Sequence, residues 1–210
     1  MTIAASAVID AVTDDIQDAG NTRVSRATML AWLNDGRREI VMLRPDASTS
    51  VVDLTLAAGC DQSIPSSSTR IIANRGNVTG ERCQLVKRAW LDERKPGWRK
   101  DTASALIKAW VYDDEQDPKH FEVWPPALNT AQLKFVVSVS LADCANDAAA
   151  IGLDDEFKGP LVSYILHRYY RRDAEDSANV AMASTFYELF MQQLGLEKQA
   201  NDSESPKVRK

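Results

Sequence analysis

VVDLTLAAG, residues 51–59, decides the fold. Val52, Leu54 and Leu56 alternate with Asp53 and Thr55 before Gly59, and a period of two belongs to a half-buried strand, not a helix. Upstream the period is helical. Ala4, Val8, Val12 and Ile16 step by four through residues 3–18, with Asp10, Asp14 and Asp15 off the stripe, and Gly20 with Asn21 ends the segment. Ser25 is placed to cap a second helix, whose seam of Met29, Leu33, Gly36, Ile40 and Leu43 stops at Pro45. A glycine inside a helix costs about 1 kcal/mol, so Gly36 predicts close approach by a neighbouring helix.

Downstream, short strands are predicted at 62–65, 70–73, 84–90, 107–112, 120–124 and 132–139, separated by Pro, Gly, Asn and Asp turns. Their spacing predicts antiparallel pairing, because parallel neighbours need a helix-length crossover. The clearest hairpin joins 107–112 to 120–124 around an acidic loop. After a polar passage at 143–152 the helical period returns. Phe157, Leu161, Tyr164, Ile165 and Tyr169 mark one helix, in which Pro160 is either a first-turn residue or a kink. Val180, Ala183, Tyr187, Phe190 or Met191, and Leu194 mark another, ending at Gly195. Residues 197–210 carry alternating charges and one branched aliphatic residue, Val208, and are expected to be disordered alone.

This order predicts an α+β fold. An antiparallel helical bundle is built from both chain ends (residues 1–46 and 153–195), with an inserted antiparallel β region at 47–142 and a flexible C-terminal extension at 196–210. The expected seam of the bundle is Met29, Leu33, Gly36, Ile40, Leu161, Ile165, Tyr187 and Leu194.

Composition mainly excludes. The 25 Lys and Arg face 30 Asp and Glu, and a net charge of -5 disfavours a protein that grips nucleic-acid phosphates. No apolar run approaches the roughly 20 residues of a membrane span. Residues 1–20 lack a cationic start, so no secretory signal is expected and the chain should remain in the cytoplasm. Cys60, Cys83 and Cys144 lack the close pairs of zinc or redox motifs, and His120 and His167 sit in no recognisable catalytic signature.

The residual chemistry is carboxylate. Asp113, Asp114, Glu115 and Asp117 could offer oxygens to a hard cation, but the loop lacks the ligand spacing of a calcium site and reads as a solvated turn. Asp154, Asp155 and Glu156 could act as acid and base, yet acids at a helix start already suit the helix dipole. Tyr164, Tyr169 and Tyr170 among Arg168, Arg171 and Arg172 cannot share one helical face. Trp90, Trp98, Trp110 and Trp124 crowd the β region, where they serve as interface anchors or as core.

Five segments follow one another along the chain: WLNDGRREI at 32–40, RPDA at 44–47, DQSIP at 61–65, WVYDDEQDPKHFEVWPP at 110–126, and LDDEFKGPLVSYILHRYYRRDAEDSANVAMASTFYELFMQQLG at 153–195. In this order they resemble segments of the head-to-tail adaptors of tailed phages. The pattern is similar to that of the tail tubular A proteins of short-tailed phages. The resemblance implies a structural virion protein, assembled in the host cytoplasm, that stands at the head-tail junction as a ring, typically of twelve copies. It would join the portal protein to the tail nozzle protein and let DNA pass without specific binding. It implies no enzymatic activity, cofactor, metal or membrane. It also implies that Pro206, Lys207, Val208, Arg209 and Lys210 form a portal-docking tail that orders on binding. From other classes, a carboxylate-dependent hydrolase and a monomeric host-interaction module remain as alternatives.

Overall fold

The computed structural model describes residues 2–172 and 177–204. The chain divides into two units, one made of Met1–Ala47 and Leu141–Lys210, the other of Ser48–Ser140. Strand β1 (Thr2–Ala4) leads directly into helix α1 (Ala5–Asp15), and α2 (Arg26–Leu43) follows. In the loop between the helices the Asp18 carboxylate accepts backbone N–H groups from Thr22 and Arg23, both at 2.9 Å. Ser25 caps α2, its Oγ accepting the Thr28 N–H at 3.2 Å.

The second unit holds β2 (Thr49–Thr55), β3 (Gly59–Ser63), β4 (Ser68–Asn77), β5 (Gln84–Leu85), α3 (Arg88–Arg94), β6 (Ala109–Tyr112), β7 (His120–Ala127) and β8 (Gln132–Val139). One sheet runs β2-β8-β4, the other β3-β7-β6-β5. In β8 the alternate residues Leu133, Phe135 and Val137 are fully buried, as the period-two rule requires of a central strand. Phe135 meets Trp110 and Phe121 edge-on, with ring centroids 5.3 and 5.2 Å apart. The buried Asn77 side chain accepts from Ile107 N–H (3.0 Å) and donates to Ile107 C=O (2.8 Å), pairing a backbone that no strand satisfies.

The chain then returns to the first unit through β9 (Ala150–Asp154), a 3-10 turn (Asp155–Phe157), α4 (Lys158–Arg172) and α5 (Ser177–Glu204). Strand β9 pairs antiparallel with β1, Thr2 opposite Asp154 and Ala4 opposite Ala150. Val8, Ile9, Met29, Leu33, Ile40, Ile151, Leu161, Ile165, Phe190 and Leu194 form the core. Pro160 lies in the first turn of α4, where its missing N–H would have had no intrahelical partner.

The α+β class holds, but the predicted architecture does not. In place of a helical bundle built from both ends with one antiparallel insert, the described residues form five helices and nine strands in three sheets. One of these sheets, β1 with β9, lies within the helix-bearing unit, using residues read as helix and as a polar passage. Three residues at a helix start are too few for period analysis to separate. The insert is not wholly antiparallel either, since β5 runs parallel to β6. Residues 84–90, read as one strand, divide into β5 and the start of α3, and the segment containing α3 supplies the crossover that a parallel pair needs. Helix α5 passes Gly195, its predicted end, and runs to Glu204. The following LEKQA, residues 196–200, consists of good helix formers that offset one glycine.

At Gly36 a Cβ would stand 2.7 Å from Tyr164 Cδ1 and 3.3 Å from Leu161 Cδ2, and the Tyr164 ring is buried. Gly36→Ala would gain about 1 kcal/mol of helix propensity and meet an overpacking cost of about 1–3 kcal/mol. Chemical denaturation should show a net loss of stability; a gain would mean that the Tyr164 ring moves aside freely.

Candidate functional site

The seam residues come together in the first unit. Met29, Leu33 and Ile40 on α2, Leu161 and Ile165 on α4, and Leu194 on α5 share one core, with Tyr187 half-buried against it. At Gly36 the Tyr164 and Leu161 side chains of α4 pack directly onto α2, in the space a Cβ would occupy. Two buried polar residues lie on the same side of α2. Asn34 donates to Cys144 C=O (3.2 Å) and accepts from Cys144 N–H (2.8 Å). Arg37 donates to Asn34 Oδ1 (2.8 Å) and to Ile151 C=O (2.5 Å), and burial lowers its pKa. The sequence reading missed this pair. Its signal was two polar side chains, at positions 34 and 37, flanking the seam glycine.

The tryptophans do not share one environment. Trp98 and Trp110 are buried, Trp124 is intermediate, and Trp90 is 42% exposed with the Arg94 guanidinium over its ring at 5.2 Å. Lys95 stands over the Trp124 ring at 4.6 Å, and Arg99 over Trp98 at 4.2 Å. The Trp124 indole donates to Asp101 Oδ2 at 2.7 Å, and Lys95 pairs with the same carboxylate. Glu122, buried on β7, is held between Arg99 (2.7 Å) and Arg88 (2.6 Å).

The acidic loop lines an open concavity of about 1330 Å³, together with Asp61, Lys87, Arg88 and Glu122. Asp113 Oδ1 accepts the N–H groups of Glu115 and Gln116, the pattern of a self-capped turn. Asp117 pairs with His120 at 2.7 Å, and that hydrogen bond holds its carboxyl below the usual range. Asp154, Asp155 and Glu156 are exposed at the junction of β9 and the 3-10 turn. Among the described residues no group of three or more His, Cys, Asp or Glu is arranged to hold a metal ion. Cys60, Cys83 and Cys144 are buried free thiols, and burial pushes Cys83 up to about 12, far from the thiolate a nucleophile needs. Among the described residues no helix is long and apolar enough to cross a membrane.

Helix α5 is unusual in its surface. Residues 177–195 contain one charged side chain, Glu188, and Val180, Met182, Leu189 and Met191 are exposed. The expected docking residues Pro206, Lys207, Val208, Arg209 and Lys210 lie outside the described residues.

These features are buried cores, a polar latch and exposed apolar side chains. A family model described as SU10 adaptor protein matches residues 3–210. The chain belongs to that family, and with it to the structural adaptors of bacteriophage virions. The resemblance seen in the sequence is thereby borne out. No curated protein matches the chain.

Asp101 titrates below its ordinary value of 3.8, chiefly through the hydrogen bond from Lys95 and then that from the Trp124 indole. A depressed carboxylate contributes stability that is complete above its unfolded pKa and is lost as pH falls through the folded one. Asp101→Asn should therefore flatten the decline of melting temperature between about pH 5 and pH 2. Parallel declines for the two proteins would show that this contact does not couple folding to protons.

Proposed function

We propose that copies of this chain close into a ring that joins the portal protein to the tail nozzle protein and continues the DNA channel, with twelve copies as the resemblance implies. The observation that carries this reading is the family match over residues 3–210. A closed ring needs two unlike surfaces meeting head to tail. The sparsely charged, partly apolar outer side of α5 over residues 177–195, where Glu188 is the one charged side chain, suits one such contact between copies, because an exposed helix ordinarily carries more charge there. Trp90, with its exposed ring, suits an anchor in another. A net charge of -5 suits a duct through which DNA slides, since a basic wall would hold phosphates. The work is structural, without catalysis or cofactor, and takes place at the head-tail junction after assembly in the host cytoplasm.

Electron microscopy of the purified chain mixed with its portal, and separately with its nozzle protein, tests this. Rings seated on the portal are expected; no ring and no complex would overturn the reading. A hydrolase acting through Asp154, Asp155 or the 113–117 loop would instead lose a metal-dependent activity on alanine substitution while assembly stayed intact.

The docking role falls to Pro206, Lys207, Val208, Arg209 and Lys210, whose three cations and short extended composition fit a segment that orders on a partner. Removing residues 205–210 should leave the melting temperature unchanged and weaken portal attachment about tenfold or more. Attachment equal to that of the full chain would remove the tail from the proposal.

A further inference from the structure

Strand β2 has one neighbour, β8, and its register is unbroken from Thr49 opposite Ser138 to Thr55 opposite Gln132. Flanking bonds settle which backbone groups face that neighbour. Leu56 N–H donates to Ala131 C=O, and Val139 N–H donates to Ser48 C=O, both at 2.9 Å. Antiparallel ladders alternate, so Ser50, Val52 and Leu54 also turn their N–H and C=O toward β8. Thr49, Val51, Asp53 and Thr55 therefore turn theirs outward. All four of these residues are exposed, and no backbone group among the described residues pairs with them there.

The other edges of the two sheets in the second unit are guarded. Strand β4 shifts register three times along β8, carries Arg70 and Arg75, and has its Ile71 N–H taken by the Tyr112 hydroxyl at 3.0 Å. Strand β5 has two residues, and the Gln62 side chain of β3 ties back to Ala57 and Gly59. Strand β2 has no proline, no bulge and one charge, Asp53. Natural sheets normally block such an edge, because it is a template for another strand.

We propose that the outer edge of β2 receives an extended segment of a different polypeptide, which adds a fourth strand to the β2-β8-β4 sheet. The unpaired groups specify a peptide, since only a peptide presents N–H and C=O at the strand repeat. Val52 and Leu54 are half-buried against the core, so the incoming strand carries apolar residues at alternate positions to cover them. Asp53 is half exposed and is met from the β8 side by Lys134 at 3.5 Å, so a Lys or Arg on the added strand fits the same face. A second copy does not supply this strand. Its long β4 edge is closed, and pairing β2 with itself about a twofold axis stops at a dimer, which a head-to-tail ring does not use. The inference rests on the adaptor reading, in which the donor is one of the proteins this chain joins.

Site-resolved hydrogen exchange on the full chain, alone and in complex with the portal or the nozzle protein, reads the edge directly. Alone, the amides of Val51, Asp53 and Thr55 should exchange fast while those of Val52 and Leu54 are protected; in one of the two complexes the fast set should become protected. Proline at an outward position removes no bond to β8. Val51→Pro should accordingly keep the wild-type circular dichroism and cooperative melting, and bind that partner about tenfold or more weaker, whereas Val52→Pro should lose the sheet itself. Wild-type complexes in which the fast amides stay fast would overturn the edge inference and leave the adaptor reading standing. Protection appearing with concentration in the chain alone would assign the edge to a second copy and overturn it too. If the wild type binds neither protein, both readings fall.

Discussion

The buried latch of Asn34 and Arg37 is the constraint that ties the two separated halves of the first unit together. The chain leaves its first unit after Ala47 and returns at Leu141, and something must hold the returning strand to the helices already formed. Asn34 grips both backbone groups of Cys144, and Arg37 grips Ile151. With those groups held, β9 lies along β1, and α4 starts close enough to press Tyr164 onto Gly36. The arrangement places a cation in a site where burial lowers its pKa, and a buried charge is tolerated only while its hydrogen bonds are complete. An apolar pair could fill that volume but could not satisfy backbone groups of a segment so far away in sequence. This is a physical reason for polar residues in the middle of a helical seam.

Much of the fold was legible because burial imposes a period. The Ser25 cap follows from an accepting hydroxyl, and the helical positions Met29, Leu33 and Ile40, the Gly36 contact and the strand at 132–139 follow from one-sided burial, whereas Leu43, read into the same stripe, is 38% exposed. The misread strands have one cause: they are too short to show a period. Strand β1 has three residues and β5 two, and each is defined by a distant partner, β9 in one case and β6 in the other. The helical bundle with one antiparallel insert failed for that reason. Gly195 misled differently, since a glycine lowers helix propensity without forbidding the helix, and good formers follow it.

The candidate surfaces were less legible. Four tryptophans look alike in sequence, yet Trp98 and Trp110 are core, while Trp90 stands out on α3 under Arg94. What separates them is which side of a short element they occupy, and that depends on pairings not written locally. The acidic loop was read as a solvated turn, and the Asp113 carboxylate closes it on itself. The family match gave the role that these surfaces could not have named alone.

One hydrogen bond, from Val139 N–H to Ser48 C=O, has a consequence for how such a chain can diverge. It brings the entry and exit of the Ser48–Ser140 unit side by side, so this segment leaves and rejoins the rest of the chain at two adjacent points. Loop-closure cost grows only slowly with length, about 0.6 kcal/mol per doubling. A unit of different size or pattern could therefore be carried on the same two points at little cost. The length of the inserted segment is thereby set by its own folding, and not by a distance it would have to span.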